Sequence, residues 1–376
     1  MKIVQLVTQL EAGGAQHVAS LLRNGLRHRG HDAELWFLYK KRAGAFESHD
    51  VHCLYPVRPH AWTVASIMRR LHREFLRADI DALVTHTHYA NVLCQPVAAA
   101  AGIPVRIAVH HNPAATSPAS ARWLDYVLGA TPVYTSAVCV SNVTRRSLAR
   151  CPKPYLKKLT TILNGIQGSP QLRHYDIRSR WNIPENARVL VNVGRLARQK
   201  NQSLLLEAIA LLPDVFLLIA GEGDLRGALL RQALSLGIEK RVILTGELSR
   251  NEITQLIHNA EVFVLPSQWE AMPMVALEAM CAGRPIVASD IPALRETLGE
   301  AMEPFPPGDA FRLARAVRRL LDDPFRAAER AQNAWQRSHA FSLDGMIQQY
   351  AAVIERAVQR SSTAARTVAL HFPRLH

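Results

Sequence analysis

Two glutamates, Glu270 and Glu278, flank the predicted start of a helix. Pro273 suits the first position of that helix, because a proline has no N–H group there to leave unpaired. The first N–H groups of a helix have no partners within the helix and lie at its positive dipole end, where phosphates bind. We therefore predict an anion site with a carboxylate on either side, an arrangement that suits a sugar joined to a diphosphate.

A second charged segment follows the strand predicted at 188–193. Gly194 gives a tight turn, and Arg195 and Lys200 come before the helix predicted at 203–212. The guanidinium group of arginine is a planar fork and the ammonium group of lysine is a point charge, so the two can hold a diphosphate in different ways.

The second half of the chain alternates between strands and helices. The apolar run 262–265 predicts a strand buried on both faces, and Gly283 and Pro285 end the helix after it. Further strands are predicted at 215–220, 242–245 and 286–289. This alternation is what a doubly wound parallel sheet requires.

The first half opens with a strand at 3–9, the pair Gly13 and Gly14, and a helix at 17–28. Paired glycines between a strand and a helix let a ligand approach the backbone closely. The full Gly-x-Gly-x-x-Gly fingerprint is absent, which argues against a nicotinamide enzyme. More strands are predicted at 33–39, 82–85, 105–109 and 137–140.

Several histidines follow strands of the first half. His86 and His88 come after the strand 82–85, and His110 and His111 after 105–109, so all four belong to the edge where ligands bind in open α/β sheets. A zinc site is conceivable, but the spacing is loose and no cysteine joins it. The Asp-x-Asp at 79–81 precedes its strand and is interpreted as turn chemistry.

The Glu-x7-Glu spacing, together with Ala-Met-x-Ala-Gly-x-Pro-Ile-Val-Ala-Ser-Asp at 279–290, resembles the signature of the GT4 retaining glycosyltransferases. Gly194-Arg195-Leu196 and the Asn-Gly-Ile at 164–166 are similar to other segments of that family. The resemblance implies the GT-B fold, in which two Rossmann-like, doubly wound α/β domains face each other across a cleft.

On this basis we expect an N-terminal, acceptor-side domain at 1–166 and a linker at 167–186. A nucleotide-sugar-binding domain at 187–340 follows. A helix at 341–360 is expected to cross back to the first domain, and 361–376 to form a loose tail.

The resemblance assigns catalytic roles to His111, Glu270, Arg195 and Lys200, with His110 as the alternative to His111. It also implies contacts with the donor for a larger set: Gly13, Gly14, Arg195, Lys200, Gly246, Leu248, Glu270, Met274, Val275 and Glu278. His86 and His88 are expected to shape the acceptor pocket.

In these expected roles, Glu270 orients the hydroxyls of the donor sugar and Glu278 binds the ribose. Arg195 and Lys200, with the N–H groups near Met274, stabilise the charge on the departing diphosphate. No metal or cofactor is therefore expected, and the nucleotide sugar is a substrate. Ala271 replaces the usual glycine and Met272 the usual phenylalanine or leucine, which affects the selectivity for the donor sugar.

The chain of 376 residues carries a net charge of +14, and that excess of positive charge points to a polyanionic partner. The basic amphipathic pattern at 68–77 predicts contact with an anionic membrane. No pattern typical of nucleic-acid binding is found. No signal peptide or transmembrane run is expected, and the five cysteines lack metal-ligand spacing. We expect a cytoplasmic protein, peripheral at the inner face of the cell membrane.

The predicted function is transfer of a hexosyl unit from a UDP- or GDP-sugar to a glycan or a polyprenyl-diphosphate-linked acceptor, in synthesis of cell-surface polysaccharide or lipopolysaccharide. Three alternatives remain: a nucleotide-sugar epimerase of the same fold, a non-catalytic nucleotide-sugar-binding subunit, and a polyanion-binding protein.

Overall fold

A computed structural model describes residues 1–41, 51–58, 64–168 and 176–371, with side chains up to Ser361. The chain divides into two compact units. The first comprises Met1–Gly165 and Leu343–His376, and the second comprises Ile166–Ser342.

The first unit is built on a seven-stranded parallel sheet in the order β3-β2-β1-β4-β5-β6-β7. In chain order its elements are β1 (Lys2–Leu10), α1 (Gly14–His28), β2 (Asp32–Lys40), β3 (His52–Tyr55), α2 (Val64–Ala78), β4 (Ala82–Thr85), α3 (His88–Ala100), β5 (Val105–His110), α4 (Ala119–Ala130), β6 (Ser136–Cys139), α5 (Asn142–Ser147), α6 (Lys153–Leu156) and β7 (Leu159–Thr161). The central strands are buried on both faces, as expected for a parallel sheet covered by helices.

The second unit has a six-stranded parallel sheet in the order β10-β9-β8-β11-β12-β13. Its elements are α7 (Ile177–Trp181), β8 (Arg188–Val193), α8 (Gln202–Ala210), β9 (Val215–Ala220), α9 (Arg226–Ser235), β10 (Val242–Gly246), α10 (Arg250–His258), β11 (Val262–Leu265), α11 (Met274–Cys281), β12 (Ile286–Ser289), α12 (Pro292–Leu298), β13 (Met302–Phe305), α13 (Ala310–Asp322) and α14 (Pro324–Ser338). Its core packs α8 and α13 against the sheet through fully buried leucines and valines. Each such side chain contributes roughly 1.5–3 kcal/mol by its burial.

The last helix, α15 (Leu343–His371), belongs to the first unit. The sequence predicted that this helix ends near residue 360 and that a loose tail begins at 361. That prediction is wrong, because α15 continues to His371. Residues 372–376 lie outside the described residues. Within the predicted linker, 169–175 also lie outside them. The remainder contains α7, which Asp176 caps by accepting from the N–H groups of Arg178 and Ser179.

Helix α2 contains the basic pattern predicted at 68–77, although its first turns extend further upstream. Ile67, Leu71 and Phe75 form its buried face, while its arginines are exposed. Within the described part of the chain, no helix combines the length and the apolar composition needed to cross a bilayer.

Candidate functional site

Lys200 and Glu270 form an ion pair at the carboxyl edge of the second sheet. Lys200 Nζ lies 2.5 Å from Glu270 Oε1, and the side chains are 18% and 6% exposed. The two residues follow β8 and β11, which are neighbours in the sheet although β9 and β10 lie between them in sequence. The strand order reverses at that boundary, and ligands of open α/β sheets bind in the crevice that such a reversal creates.

The carboxylate of Glu270 has further donors. Ser267 Oγ donates to Glu270 Oε1 at 2.7 Å, and Gln199 Nε2 lies 3.4 Å from Oε2. Gln199 also joins the two loops through the backbone, since its Nε2 donates to Trp269 O and its carbonyl accepts from the N–H of Gln268. These bonds hold the Glu270 carboxylate between the two loops.

The Gly194–Leu196 turn is braced by the loop after β9. The N–H of Gly194 donates to Ala220 O at 2.9 Å, and the N–H of Leu196 donates to Glu222 O at 3.0 Å. The loop after β9 can lie this close to the turn only with glycine at position 223, because a Cβ atom there would lie 2.2 Å from Leu196 O. Arg195, between these bonds, is exposed.

Helix α11 begins beside this pair. Pro273 occupies the N-cap position, one residue earlier than predicted, and no side chain of the described residues caps the helix there. Met274 is buried and Val275 half-buried. The N–H of Ala276 donates to Pro273 O at 3.0 Å, so the N–H groups left at the positive end of the helix are those of Met274 and Val275.

Glu278 lies further along α11 and pairs with Arg250 at 2.8 Å. Its other oxygen, Oε2, is buried and has no hydrogen-bond partner among the described residues. Burial raises the pKa of Glu278, and the charge of Arg250 works against that rise. A buried carboxylate oxygen without a donor is costly, so this atom is a candidate for a ligand hydroxyl.

Arg250, the partner of Glu278, is not among the site residues predicted from the sequence. It is the first residue of α10, directly after Ser249, whose side chain forms a capping box with Glu252. The Ser-x-x-Glu spacing could have located this helix start. It could not have shown which carboxylate Arg250 contacts.

Gly246 and Leu248 lie at the carboxyl end of β10. Gly246 has a φ of +78°, and its carbonyl accepts from the N–H of Gly221 at 2.9 Å. Leu248 is half-buried. The predicted donor residues of the second half therefore follow strands of one sheet at their carboxyl ends, except Glu278, which lies in the second turn of α11.

Gly13 and Gly14 belong to the first unit, so the structure places them in a different unit from Glu270. Gly13 is the N-cap of α1, and a Cβ atom there would lie 2.4 Å from Gln16 Oε1. The neighbouring Glu11 is buried and lies 3.0 Å from Lys41 Nζ.

His110 is the last residue of β5 and His111 follows it, and the two side chains make contacts on opposite faces of the first sheet. His110 enters the core, where Tyr155 Oη lies 2.7 Å from its Nε2 and also donates to Asp125. His111 is half-buried, with Nε2 3.1 Å from Nδ1 of His86. His86 is fully buried and supports His111, so it does not itself line a pocket.

Asp79 has a φ of +50°, and Asp81 Oδ2 accepts from the N–H of Lys2 at 2.7 Å. These contacts confirm the interpretation of the Asp-x-Asp as a turn. Across the described ranges, no three His, Cys, Asp or Glu side chains gather in a way that could hold a metal ion.

Two family models match the chain. The model of "Glycosyltransferase Family 4" matches residues 12–167, and that of "Glycosyl transferases group 1" matches residues 175–337.

Similar proteins include a glycogen synthase of Mycobacterium tuberculosis, 36% identical over 197 residues, which are 49% of this chain and 45% of the relative. Another is the Escherichia coli UDP-Gal:alpha-D-GlcNAc-diphosphoundecaprenol alpha-1,3-galactosyltransferase, 28% identical over 238 residues, which are 59% of this chain and 60% of the relative. The chain thus spans about half the length of these relatives.

Among solved structures, HepE of Anabaena in complex with UDP-glucose superposes with a TM-score of 0.83 at 20% identity, covering 95% of this chain and 100% of HepE. WaaG, a glycosyltransferase involved in lipopolysaccharide biosynthesis, gives a TM-score of 0.75 at 16% identity, covering 94% and 99%. These similarities establish the fold.

Proposed function

Because this chain belongs to glycosyltransferase family 4 and has the GT-B fold, we propose that it transfers a hexosyl unit, with retention, from a nucleotide diphosphate sugar. The observation that carries the proposal is the Lys200–Glu270 pair beside the uncapped start of α11. The donor is a UDP- or GDP-sugar, and the acceptor is a glycan or a lipid-linked glycan.

Breaking the glycosidic bond places negative charge on the departing diphosphate. Lys200, Arg195 and the first N–H groups of α11 can stabilise this charge, and an interaction that strengthens as the charge develops lowers the barrier. These groups supply the positive charge that a bound metal ion would otherwise give, so we propose that transfer needs no metal.

The two glutamates then have different tasks. Glu270, held by Lys200 and Ser267, accepts hydrogen bonds from hydroxyls of the donor sugar. Glu278 keeps one oxygen on Arg250 and offers Oε2 to a ribose hydroxyl, which would satisfy the buried oxygen.

Relatives and neighbours support the choice of substrate classes. HepE was solved with UDP and with UDP-glucose, and the E. coli relative is named for UDP-Gal and a diphosphoundecaprenol acceptor. A GDP-mannose-dependent mannosyltransferase of M. tuberculosis is 29% identical over 221 residues. We therefore propose a role in cell-surface polysaccharide or lipopolysaccharide synthesis.

We further propose that the protein is cytoplasmic and contacts the inner face of the membrane through α2. The apolar face of α2 is buried within its own unit. Its contact with lipid is therefore electrostatic, between exposed arginines and anionic headgroups, and involves little insertion.

A thermal-shift panel of UDP-, GDP- and ADP-sugars, followed by transfer to a polyprenyl-diphosphate glycan, tests the proposal. One nucleotide sugar should raise the melting temperature, and either Lys200→Ala or Glu278→Ala should abolish the rise. The exposed Lys240 provides the control variant Lys240→Ala, which should keep it. A full shift in both site variants would reject the donor site. An epimerised sugar formed without acceptor would reject transfer.

A further inference from the structure

A chain of three buried or half-buried polar side chains crosses the switch point of the first sheet. Strand order reverses between β1 and β4, which are neighbours in that sheet. Gln5 of β1 and His86, directly after β4, are both 0% exposed. Gln5 Oε1 lies 2.7 Å from His86 Nε2, and His86 Nδ1 lies 3.1 Å from His111 Nε2.

The register of the strands explains why these three side chains meet. Gln5 pairs with Val84, and His86 lies two residues after Val84, so both point to the same face. Val84 pairs in turn with Ile107, and His111 lies four residues after Ile107 on that face.

Both rings are neutral near pH 7. Burial lowers the pKa of His86 well below its usual range, and burial with the nearby His110 lowers the pKa of His111 to about 3. A neutral imidazole carries one N–H group and one lone pair, so it donates at one nitrogen and accepts at the other. The chain of hydrogen bonds therefore has a direction, which its first acceptor sets.

In this orientation of the Gln5 amide the first acceptor is its carbonyl oxygen, and its Nε2 is buried with no hydrogen-bond partner among the described residues. The carbonyl oxygen accepts from Nε2–H of His86, which leaves a lone pair on His86 Nδ1. That lone pair accepts from Nε2–H of His111, so His111 Nδ1 carries no hydrogen. Nδ1 makes no hydrogen bond with any other described residue.

We propose that Gln5 and His86 are positioning residues that hold His111 in its Nε2–H tautomer, with the lone pair of Nδ1 presented to a substrate hydroxyl. His111 then recognises a hydroxyl group as a hydrogen-bond donor, and it does not act as a general base. The tautomer is independent of the proposed transfer reaction. Only the identity of the hydroxyl, as part of a sugar, rests on that proposed function.

The tautomers can be read directly from long-range 1H–15N correlation spectra of the full chain with 15N-labelled histidine. In the wild type, His86 and His111 should both show a protonated Nε2 and an unprotonated Nδ1. Gln5→Met removes the first acceptor at similar volume, so His111 should become a mixture of tautomers. Gln5→Glu keeps an acceptor oxygen and should restore the Nε2–H form.

A matched control lies on the other face of the same sheet. Gln95 is also 0% exposed, and its Nε2 donates to Thr85 Oγ1 at 2.8 Å and to Ile107 O at 2.9 Å. Gln95→Met removes a buried amide without touching the chain of histidines. It should therefore leave the His111 tautomer unchanged.

Two results would overturn the inference. The first is a wild-type His111 with its proton on Nδ1, which a reversed Gln5 amide would produce. The second is a His111 tautomer that is unchanged in Gln5→Met. In the transfer assay, Gln5→Met should lower kcat/KM by about fivefold to tenfold, the factor that one ordinary hydrogen bond supplies, and Gln5→Glu should recover most of it. If the tautomers are as expected but no sugar is transferred to any acceptor, the proposed function fails and the positioning role stands.

Discussion

Lys200 Nζ lies 2.5 Å from Glu270 Oε1, and this bond joins the loops after β8 and β11 across the switch point of the second sheet. Each charge neutralises the other in a place where Glu270 is almost wholly buried. In the proposed reaction, a diphosphate competes with Glu270 for Lys200. The same lysine therefore serves both the folded state and the proposed transition state.

Lys200→Met should lower the free energy of unfolding by about 2 kcal/mol. Removing one partner of a buried pair costs 3–5 kcal/mol, and the partial exposure of Lys200 reduces this roughly by half. Glu270→Gln keeps an acceptor oxygen for Ser267 but places an amide donor opposite Gln199 Nε2, and it should cost about 1 kcal/mol. Urea unfolding measures both. Lys240→Met at an exposed site should change stability by less than about 0.5 kcal/mol, and an equal loss there would contradict the burial argument.

Glu278→Gln should stabilise the protein at neutral pH. Burial raises the pKa of Glu278 above the usual 4.5. Between pH 4.5 and the raised pKa of the folded protein, the unfolded chain loses the Glu278 proton while the folded protein keeps it. The free energy of unfolding of the wild type therefore falls as the pH rises through this window. The glutamine variant lacks this fall, and its advantage should vanish on acidification below the window.

The pH dependence of this difference can be followed by urea unfolding at pH 4 to 7.5. Glu329 is exposed, so Glu329→Gln should run parallel to the wild type. An advantage of Glu278→Gln that is equal at every pH would show that burial of the charge is not its cause.

Acid should destabilise the protein through its buried histidines. The pKa of His111 is lowered to about 3, so below the unfolded value of 6.5 the unfolded state binds a proton that the folded state does not. Wild-type stability should therefore decline from about pH 6.5 toward pH 3, and His111→Gln should make the decline shallower. His28 is exposed, and His28→Gln should leave the slope unchanged.

Most of the second sheet could be predicted from the sequence. The strands at 188–193, 215–220, 262–265 and 286–289 are confirmed to the residue, because buried parallel strands are short apolar runs between turn residues. The predictions missed β3, β7 and β13. Each is an edge strand, and an edge strand has fewer apolar residues because one side is not paired.

The residues of the candidate site also fall into those that could be predicted from the sequence and those that could not. Loops after apolar runs are visible in a sequence, so Arg195, Lys200 and Glu270 could be named from their positions. Partners brought by distant elements could not, which is why Arg250 was missed. Whether His110 or His111 is the site histidine depends on which face of the sheet each side chain points to. A one-residue change in the predicted end of β5 reverses that assignment.

Replacing Arg69, Arg73 and Arg77 of α2 by glutamine should weaken binding to vesicles with anionic lipid by about a hundredfold, since each basic residue near the surface contributes about 1 kcal/mol. All three are exposed. Sedimentation with phosphatidylglycerol vesicles measures the change. The exposed Arg312, Arg315 and Arg319 of α13 supply a control of equal charge. Equal weakening in both triple variants would show that net charge, and not α2, governs binding.

Gly223→Ala should impair the proposed donor site, although it replaces no charged residue. The new Cβ atom would lie 2.2 Å from Leu196 O and 2.7 Å from Leu196 N, so it meets backbone that cannot rotate away. The Gly194–Leu196 turn must then shift, and Arg195 and Lys200 shift with it. We expect a loss of about 1–3 kcal/mol in stability, as for other overpacked sites, and a weaker thermal shift with the nucleotide sugar.

Gly227→Ala is the matched control, because Gly227 is exposed within α9 and alanine favours a helix. Gly227→Ala should be neutral or stabilising and should keep the full thermal shift. If Gly223→Ala also keeps the full shift, the Gly194–Leu196 turn does not position Arg195 and Lys200.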